Sequence, residues 1–322
     1  MPDAARNEDA RPMIATENGR PDAVLIAGPT ASGKSALAIA VAERVGGLVI
    51  NADSMQVYAE LRILTARPTV EDEARVEHRL YGDVSAARDH SVADWLKRIA
   101  PVLDEAVAAG RPAVIVGGTG LYFDALVHGL AEVPPIPEAI RRHWRERAGR
   151  DGVERLHAEL TCRDPEGAAR LRPSDTQRVT RALEVLEATG RPLSSWQLAS
   201  AKPLLPVDRA VAMVVEPDRA ELHRRIALRF RDMVASGAVE EAAAFAGLGI
   251  ERGLPATRAI GLSGLAEVAA GRRGLEAAIE KAVAETRQYA KRQSTYFRGR
   301  MGDWSRGEPD VLAARAIAAL GH

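Results

Sequence analysis

The stretch AVLIAGPTASGKSALAIAVAERVG, Ala23 to Gly46, joins three unlike pieces. AVLIAG is an apolar run of strand length, halted by Gly-Pro. SALAIAVAERVGG is rich in helix formers and closes on glycines, as helices commonly do. Between them, GPTASGKS fits G-x-x-x-x-G-K-[ST] through Gly28, Gly33, Lys34 and Ser35. Glycine lets such a backbone curl until its N–H groups face phosphate oxygens, and the helix N-terminus adds partial positive charge. The predicted cradle is Gly28, Pro29, Thr30, Ala31, Ser32, Gly33, Lys34 and Ser35, with Lys34 supplying a full charge and Ser35 a hydroxyl for Mg²⁺. Kinases, ATPases and GTPases share this loop, so it establishes a phosphate site without saying which bond breaks.

Working outward, GLVINADS reads as a second buried strand and PAVIVGGTG as a third, with a helical stretch near Val92 to Ala109 before it. VDRAVAMVVEP, 207 to 217, reads as a strand returning to the same sheet. Strands alternating with helices predict an α/β fold, a P-loop NTPase-like parallel sheet flanked by helices. From about Leu130 to Ser200 no strand is evident, and Pro and Gly separate helical stretches. The expected organisation is a tail over 1–22, a core over 23–129 and 200–322, and an inserted all-helical subdomain over 130–199.

Lys+Arg and Asp+Glu both number 44, so any polyanion must be met by a local patch and not by a global field. The single Cys162 excludes a disulfide framework and a multi-cysteine zinc site; it fits a reducing cytoplasm and is expected to be structural. The seven histidines show no metal-ligand spacing. His78 has no identifiable carboxylate partner and is expected to be structural, and Trp95, Trp144 and Trp196 are expected to anchor helix packing. No apolar run reaches membrane-spanning length, and the opening segment has acids and no secretory core, so it reads as a mobile polar tail of a cytoplasmic protein.

A nucleotide triphosphatase would also need an acidic Mg²⁺ ligand at the end of another strand. PAVIVGGTG ends in glycines instead. GLVINAD ends in Asp53, followed at once by SMQVY, a setting of base chemistry and hydrogen bonds suited to an organic substrate. On its own Asp53 is equally readable as a helix N-cap or a plain Mg²⁺ ligand.

GPTASGKS, DSMQVY, VGGTGLYFDAL, DPEGAARLRPSDTQRVTRALEV, TGRPLS, LHRRIALRFRDMVASG, RAIGLSG and TRQYAKRQSTYFR follow in order from about 23 to 300. In this series the sequence resembles the bacterial tRNA dimethylallyltransferases, the tRNA isopentenyltransferase family. The resemblance implies transfer of a dimethylallyl group from dimethylallyl diphosphate to the exocyclic amine of the adenosine 3′ to the anticodon. The loop would then hold a leaving diphosphate, with Mg²⁺, and Asp53 would take the amine proton. It further implies Thr30 and Arg225 at the diphosphate, with Arg229 a lesser candidate, and Thr119 near the adenosine. Without it, the two arginines read equally as the solvated face of an amphipathic helix. Prenyl transfer to free adenylate is the near alternative; a small-metabolite kinase and a non-catalytic RNA-binding module are more distant ones.

In SDTQRVTRALEV, Gln177 and Arg181 lie four apart and Arg178 and Arg181 three apart, hence on one helical face, with Val179, Leu183 and Leu186 free to pack. A surface helix salt-bridged by Glu184 is the alternative. The resemblance gives the RNA contacts as Asp53, Ser54, Met55, Gln56, Arg141, Gln177, Arg178, Val179, Thr180, Arg181 and Arg258. KAVAETRQYAKRQSTYFRGR supplies the basic patch, with Lys281, Arg287, Lys291, Arg292, Arg298 and Arg300 against one acid, Glu285. The chain departs from the family pattern at Leu64 and Arg67 in ILTARP, at the single His78 of EHRLYGDV, and at Leu262 and Ser263 of RAIGLSG. The partners expected are tRNA, through its anticodon stem-loop, and dimethylallyl diphosphate, acted on by a monomer with no membrane association.

Overall fold

A computed structural model describes residues 21–197 and 202–321. The tail expected over 1–22 lies outside the described residues as far as residue 20. Chain contacts divide the protein into two compact units, one of residues Met1–Val127 and Leu204–His322, the other His128–Pro203.

The first unit is built on six parallel strands: β1 (Ala23–Ala27), β2 (Leu48–Asn51), β3 (His78–Arg79), β4 (Ala113–Gly117), β5 (Ala210–Val215) and β6 (Ser305–Gly307). Their order across the sheet is β3-β2-β4-β1-β5-β6. Every residue of β1, β2 and β4 is buried, because a parallel sheet carries helices on both faces. Alternation then sorts their side chains. Leu25, Ile50, Ile115 and Val214 pack one way against Trp95, Ile99 and Leu103 of the Val92–Ala108 helix and Phe123 of the Gly120–His128 helix. Val24, Ile26, Val49, Val114, Val116 and Met213 pack the other way against Leu37 and Val41 of the Lys34–Val45 helix and Leu312 and Ala316 of the Pro309–Ala319 helix. A third cluster joins Val57, Tyr58 and Leu61 to the helices Arg219–Ala235, Ala238–Gly247, Leu262–Ala269 and Leu275–Arg300.

Two strands, β3 and β6, were not anticipated. They hold two and three residues, sit at the sheet edges and are polar, so they carry no apolar signature.

The second unit contains the helices Glu138–Asp151, Val153–Arg163, Pro165–Ala169, Thr176–Thr189 and Leu193–Gln197. Its core is Trp144, Leu156, Leu160, Ala168, Val179, Ala182 and Leu183. Trp144 is 1% exposed, with the Arg147 guanidinium 4.9 Å from its ring centre. Trp144→Ala should therefore cost this unit about 3–5 kcal/mol, seen as a lowered unfolding transition in urea. Cys162 departs from expectation: it is exposed, so it contributes nothing to a core.

Candidate active site

The phosphate loop leaves β1, Asp53 follows β2, and Gly118-Thr119 follows β4. These three strands are neighbours in the sheet, and the chain winds in opposite directions from β1 to β2 and from β4 to β5. Open α/β sheets bind ligands at the carboxyl ends of strands where winding reverses. The loop, the carboxylate and the threonine, 66 residues apart between Asp53 and Thr119, meet there because the strand order brings them together.

Gly33 ends the loop at φ 91°, a left-handed conformation that favours glycine, and opens the Lys34–Val45 helix. Lys34 Nζ donates to Pro29 O at 3.2 Å, folding its ammonium over the loop. Burial pushes the Lys34 ammonium down to about 8, opposed by the Asp53 carboxylate and reinforced by Arg229. The Ser32 hydroxyl is buried and has no hydrogen-bond partner among the described residues. A cavity of about 300 Å³ opens beside this loop, lined among others by Lys34, Ser35, Arg67, Arg225 and Arg229. Four cations around a curled loop, with an unpartnered hydroxyl, suit a polyanion.

Asp53 is held by its backbone. Its N–H donates to Asn51 Oδ1 at 2.8 Å, and Asn51 Nδ2 donates to Asp53 O at 3.0 Å and to Leu80 O at 3.1 Å. Buried Trp95 donates its indole N–H to Asn51 O at 2.8 Å. The Asp53 carboxylate accepts the Met55 N–H at 2.9 Å and faces a second cavity of about 100 Å³, walled by Thr30, Met55, Leu64, Arg229, Phe230 and Tyr289 among others. Arg229 lines both cavities and donates to Thr30 Oγ1 at 3.4 Å, so it stands at least as close to the loop as Arg225 does. Arg225 lines the larger cavity alone and donates to Glu221 at 2.6 Å. Neither arginine is a fully solvated helix face.

Thr119 Oγ1 accepts the Ser54 N–H at 2.9 Å and lies 3.2 Å from Ser54 Oγ, tying the segment after β2 to that after β4. Gly117 and Gly118 are demanded by close approach: a Cβ on Gly117 would stand 2.0 Å from Ala52 O, and one on Gly118 3.1 Å from Asp53 Oδ2. Gln56 donates its amide to Thr65 O at 2.9 Å and Ala66 O at 2.8 Å, which makes it a brace for the loop after it. Arg67 donates to Ala59 O at 3.2 Å, and its guanidinium fills the space that Gly82 leaves by having no side chain. Leu64 packs in the third cluster, and His78 donates Nδ1–H to Val76 O at 2.8 Å.

The remaining expected contacts lie elsewhere. Arg258 is exposed and donates to Gly253 O at 3.1 Å. Arg141, Gln177, Arg178, Val179, Thr180 and Arg181 belong to the helical unit. There Gln177 and Arg178 are exposed, and Arg181 is half-exposed beside Glu184 at 3.5 Å. Val179 and Thr180 are buried, so their side chains pack the unit and offer no surface to an RNA. On the long Leu275–Arg300 helix, Arg298 donates to Glu216 at 2.8 Å and Arg300 to Asp124 at 2.8 Å. Both arginines stay exposed, as do Lys281, Arg287, Lys291 and Arg292, so acids distant in sequence pair with part of the basic run without burying it. Asn51, Tyr289 and Gln293 were missed as site residues; Gln293 is polar at a position where helical spacing from Ala290 and Phe297 calls for an apolar side chain, a signal that could have marked it.

Among the described residues no cluster of three or more His, Cys, Asp or Glu could hold a metal ion, and no helix is long and apolar enough to cross a membrane. Ser35 lines the larger cavity, and its hydroxyl is the group that could hold Mg²⁺ there together with substrate phosphate oxygens.

Strand, loop and helix define a P-loop α/β protein in which a carboxylate and the P-loop meet at the carboxyl end of the same sheet. Residues 56–300 match the family model for IPP transferase, and the chain belongs to that family. It is 51% identical over 304 residues to the tRNA dimethylallyltransferase of Nitrobacter hamburgensis, covering 94% of this chain and 96% of that one. It is 52% identical over 305 residues to the tRNA dimethylallyltransferase of Azorhizobium caulinodans, covering 94% and 96%. The crystal structure of the full-length tRNA isopentenylpyrophosphate transferase of Bacillus halodurans superposes with a TM-score of 0.66 at 31% identity, covering 94% of this chain and 97% of that one.

Proposed function

We infer that this protein is a tRNA dimethylallyltransferase. It moves a dimethylallyl group from dimethylallyl diphosphate to the exocyclic amine of the adenosine 3′ to the anticodon, and releases diphosphate. The observation that carries this reading is the placement of Asp53 on a cavity that Thr30 and Arg229 share with the phosphate loop. A base stands beside a polyanion cradle, and an allylic carbon between them would meet both.

In the reaction the carbon–oxygen bond to diphosphate breaks as the nitrogen–carbon bond forms. The amine nitrogen donates the electron pair, its proton passes to Asp53, and the bond's electrons leave with the diphosphate. Lys34, Arg225, Arg229 and the loop amides stabilise the charge that the diphosphate gains. Mg²⁺, when bound at Ser35, neutralises part of the same charge. No phosphoryl group moves, which accounts for a cradle without an acid at the end of β4. The target base must leave its stack to reach the carboxylate, as an anticodon-loop base can. Arg141, Gln177, Arg178 and Arg181 of the helical unit, with Ser54, Met55, Gln56 and Arg258, are the proposed RNA contacts. A tRNA substrate sets the work in the cytoplasm, and nothing in the proposed reaction requires a second copy of the chain.

Labelled dimethylallyl diphosphate incubated with tRNA, with AMP, or with neither decides the substrate. Label in tRNA is expected. Label only in AMP, or γ-phosphate transfer from ATP to an acceptor, would overturn the reading.

The lowered Lys34 ammonium also sets a pH dependence. Lys34 is charged below about 8 and loses its proton above it. Affinity for inorganic diphosphate should fall as pH rises through 8, and calorimetric titration from acid to alkaline pH should show that step. A Lys34→Met protein should lack it.

A further inference from the structure

We propose that Gln293 is a positioning residue that locks the diphosphate loop to the Gly118-Thr119 turn, and so sets the distance between the departing group and the base. The proposal rests on the prenyl-transfer reading above. Gln293 sits on the Leu275–Arg300 helix and is 5% exposed. Its Oε1 accepts the Thr30 N–H at 2.9 Å, and its Nε2 donates to Gly118 O at 2.8 Å. The amide orientation is fixed by chemistry, since an N–H needs an acceptor and a carbonyl needs a donor. One side chain, 263 residues from Thr30 and 175 from Gly118, therefore joins the loop after β1 to the turn after β4.

The same point reaches the reacting groups. A Cβ on Gly118 would stand 2.3 Å from Gln293 Nε2 and 3.1 Å from Asp53 Oδ2, so the amide and the carboxylate both lie against the Gly118 backbone. Tyr289, one helical turn earlier, lines the same cavity as Asp53. Thr119 in turn holds the Ser54 N–H beside Asp53. Removing the amide would leave both parts folded on their strands but free to drift apart, and a drift of about 1 Å can cost about 10²-fold in rate.

The test is Gln293→Met, of similar length and without hydrogen bonds, with Gln293→Glu beside it. The Met variant should lose about 10–100-fold in kcat, with KM for both substrates changed by less than about threefold. Amide hydrogen exchange should speed about tenfold in both the Thr30 loop and the Gly118-Thr119 turn. The Glu variant keeps an acceptor for Thr30 but sets an oxygen against Gly118 O, so its loop should stay protected while its turn loosens. Turnover within about twofold of the parent, or exchange changes confined to the long helix, would overturn the proposal. If the Met protein does not fold, the Glu protein decides: a loosened turn with a protected loop supports the lock, and an unchanged turn overturns it. Absence of turnover in the parent protein would instead sink the functional reading, while the exchange pattern still decides whether the lock exists.

Discussion

Asp53→Ala is expected to lower turnover about 10²–10⁴-fold while tRNA and diphosphate binding change by less than about fivefold. The carboxylate makes one local bond, to the Met55 N–H, whereas the segment's backbone is held independently by Asn51 and Thr119. The fold around it therefore has little reason to move. Asp53→Asn should lose nearly as much, because an amide can still accept the Met55 N–H but cannot take a proton from the amine. Filter binding of tRNA, calorimetry with diphosphate and single-turnover kinetics together check this. Near-parental turnover in the Asn protein would remove Asp53 as the base. There is one electrostatic side effect: the Asp53 charge holds the Lys34 ammonium up, so in Asp53→Ala the loss of diphosphate affinity should begin at lower pH than in the parent.

Lys34→Met should act in opposite directions on activity and stability. Turnover should fall about 10²–10³-fold, since the diphosphate loses a full charge placed where its own charge develops. The ligand-free protein should nevertheless melt at higher temperature. Burial holds the Lys34 pKa below its usual 10.5, so folding is opposed by that charge below pH 8. The penalty fades as pH rises from about 8 towards 10.5, where the unfolded chain binds more protons than the folded one. The gain in melting temperature should accordingly be larger at pH 7 than at pH 10. A scan of both proteins at the two pH values checks the sign, and a lower melting temperature for Lys34→Met at pH 7 would contradict it.

Much of this molecule was legible because its inner strands are apolar runs with Gly or Pro near at least one end. AVLIAG, GLVIN, PAVIVGG and AVAMVV became β1, β2, β4 and β5. The Gly33-Lys34-Ser35 cradle and Asp53 were legible because loops after such strands carry chemistry. Hidden features were those that depend on partners far along the chain. Arg298 and Arg300 read as phosphate contacts until Glu216 and Asp124 arrive beside them. Val179, whose helical spacing with Leu183 already marks it for packing, is buried against Trp144 and Leu156 from earlier helices. Gln56 sits in a motif that suggests recognition, and its Nε2 also braces the loop at Thr65 and Ala66, a role only the fold reveals.

The order of the sheet also has a consequence for how the chain is made. Among the described residues β1 precedes every other strand, but its partners are β4, aligned from Ala113, and β5, aligned from Ala210. The phosphate loop therefore hangs from a strand that stays half-paired until β5 has been synthesised. The helical unit, whose core runs only from Trp144 to Leu183, has all its parts before β5 exists. Local contacts form quickly and distant ones slowly. The phosphate loop thus depends for its setting on contacts written long after it, from β5 and from Gln293.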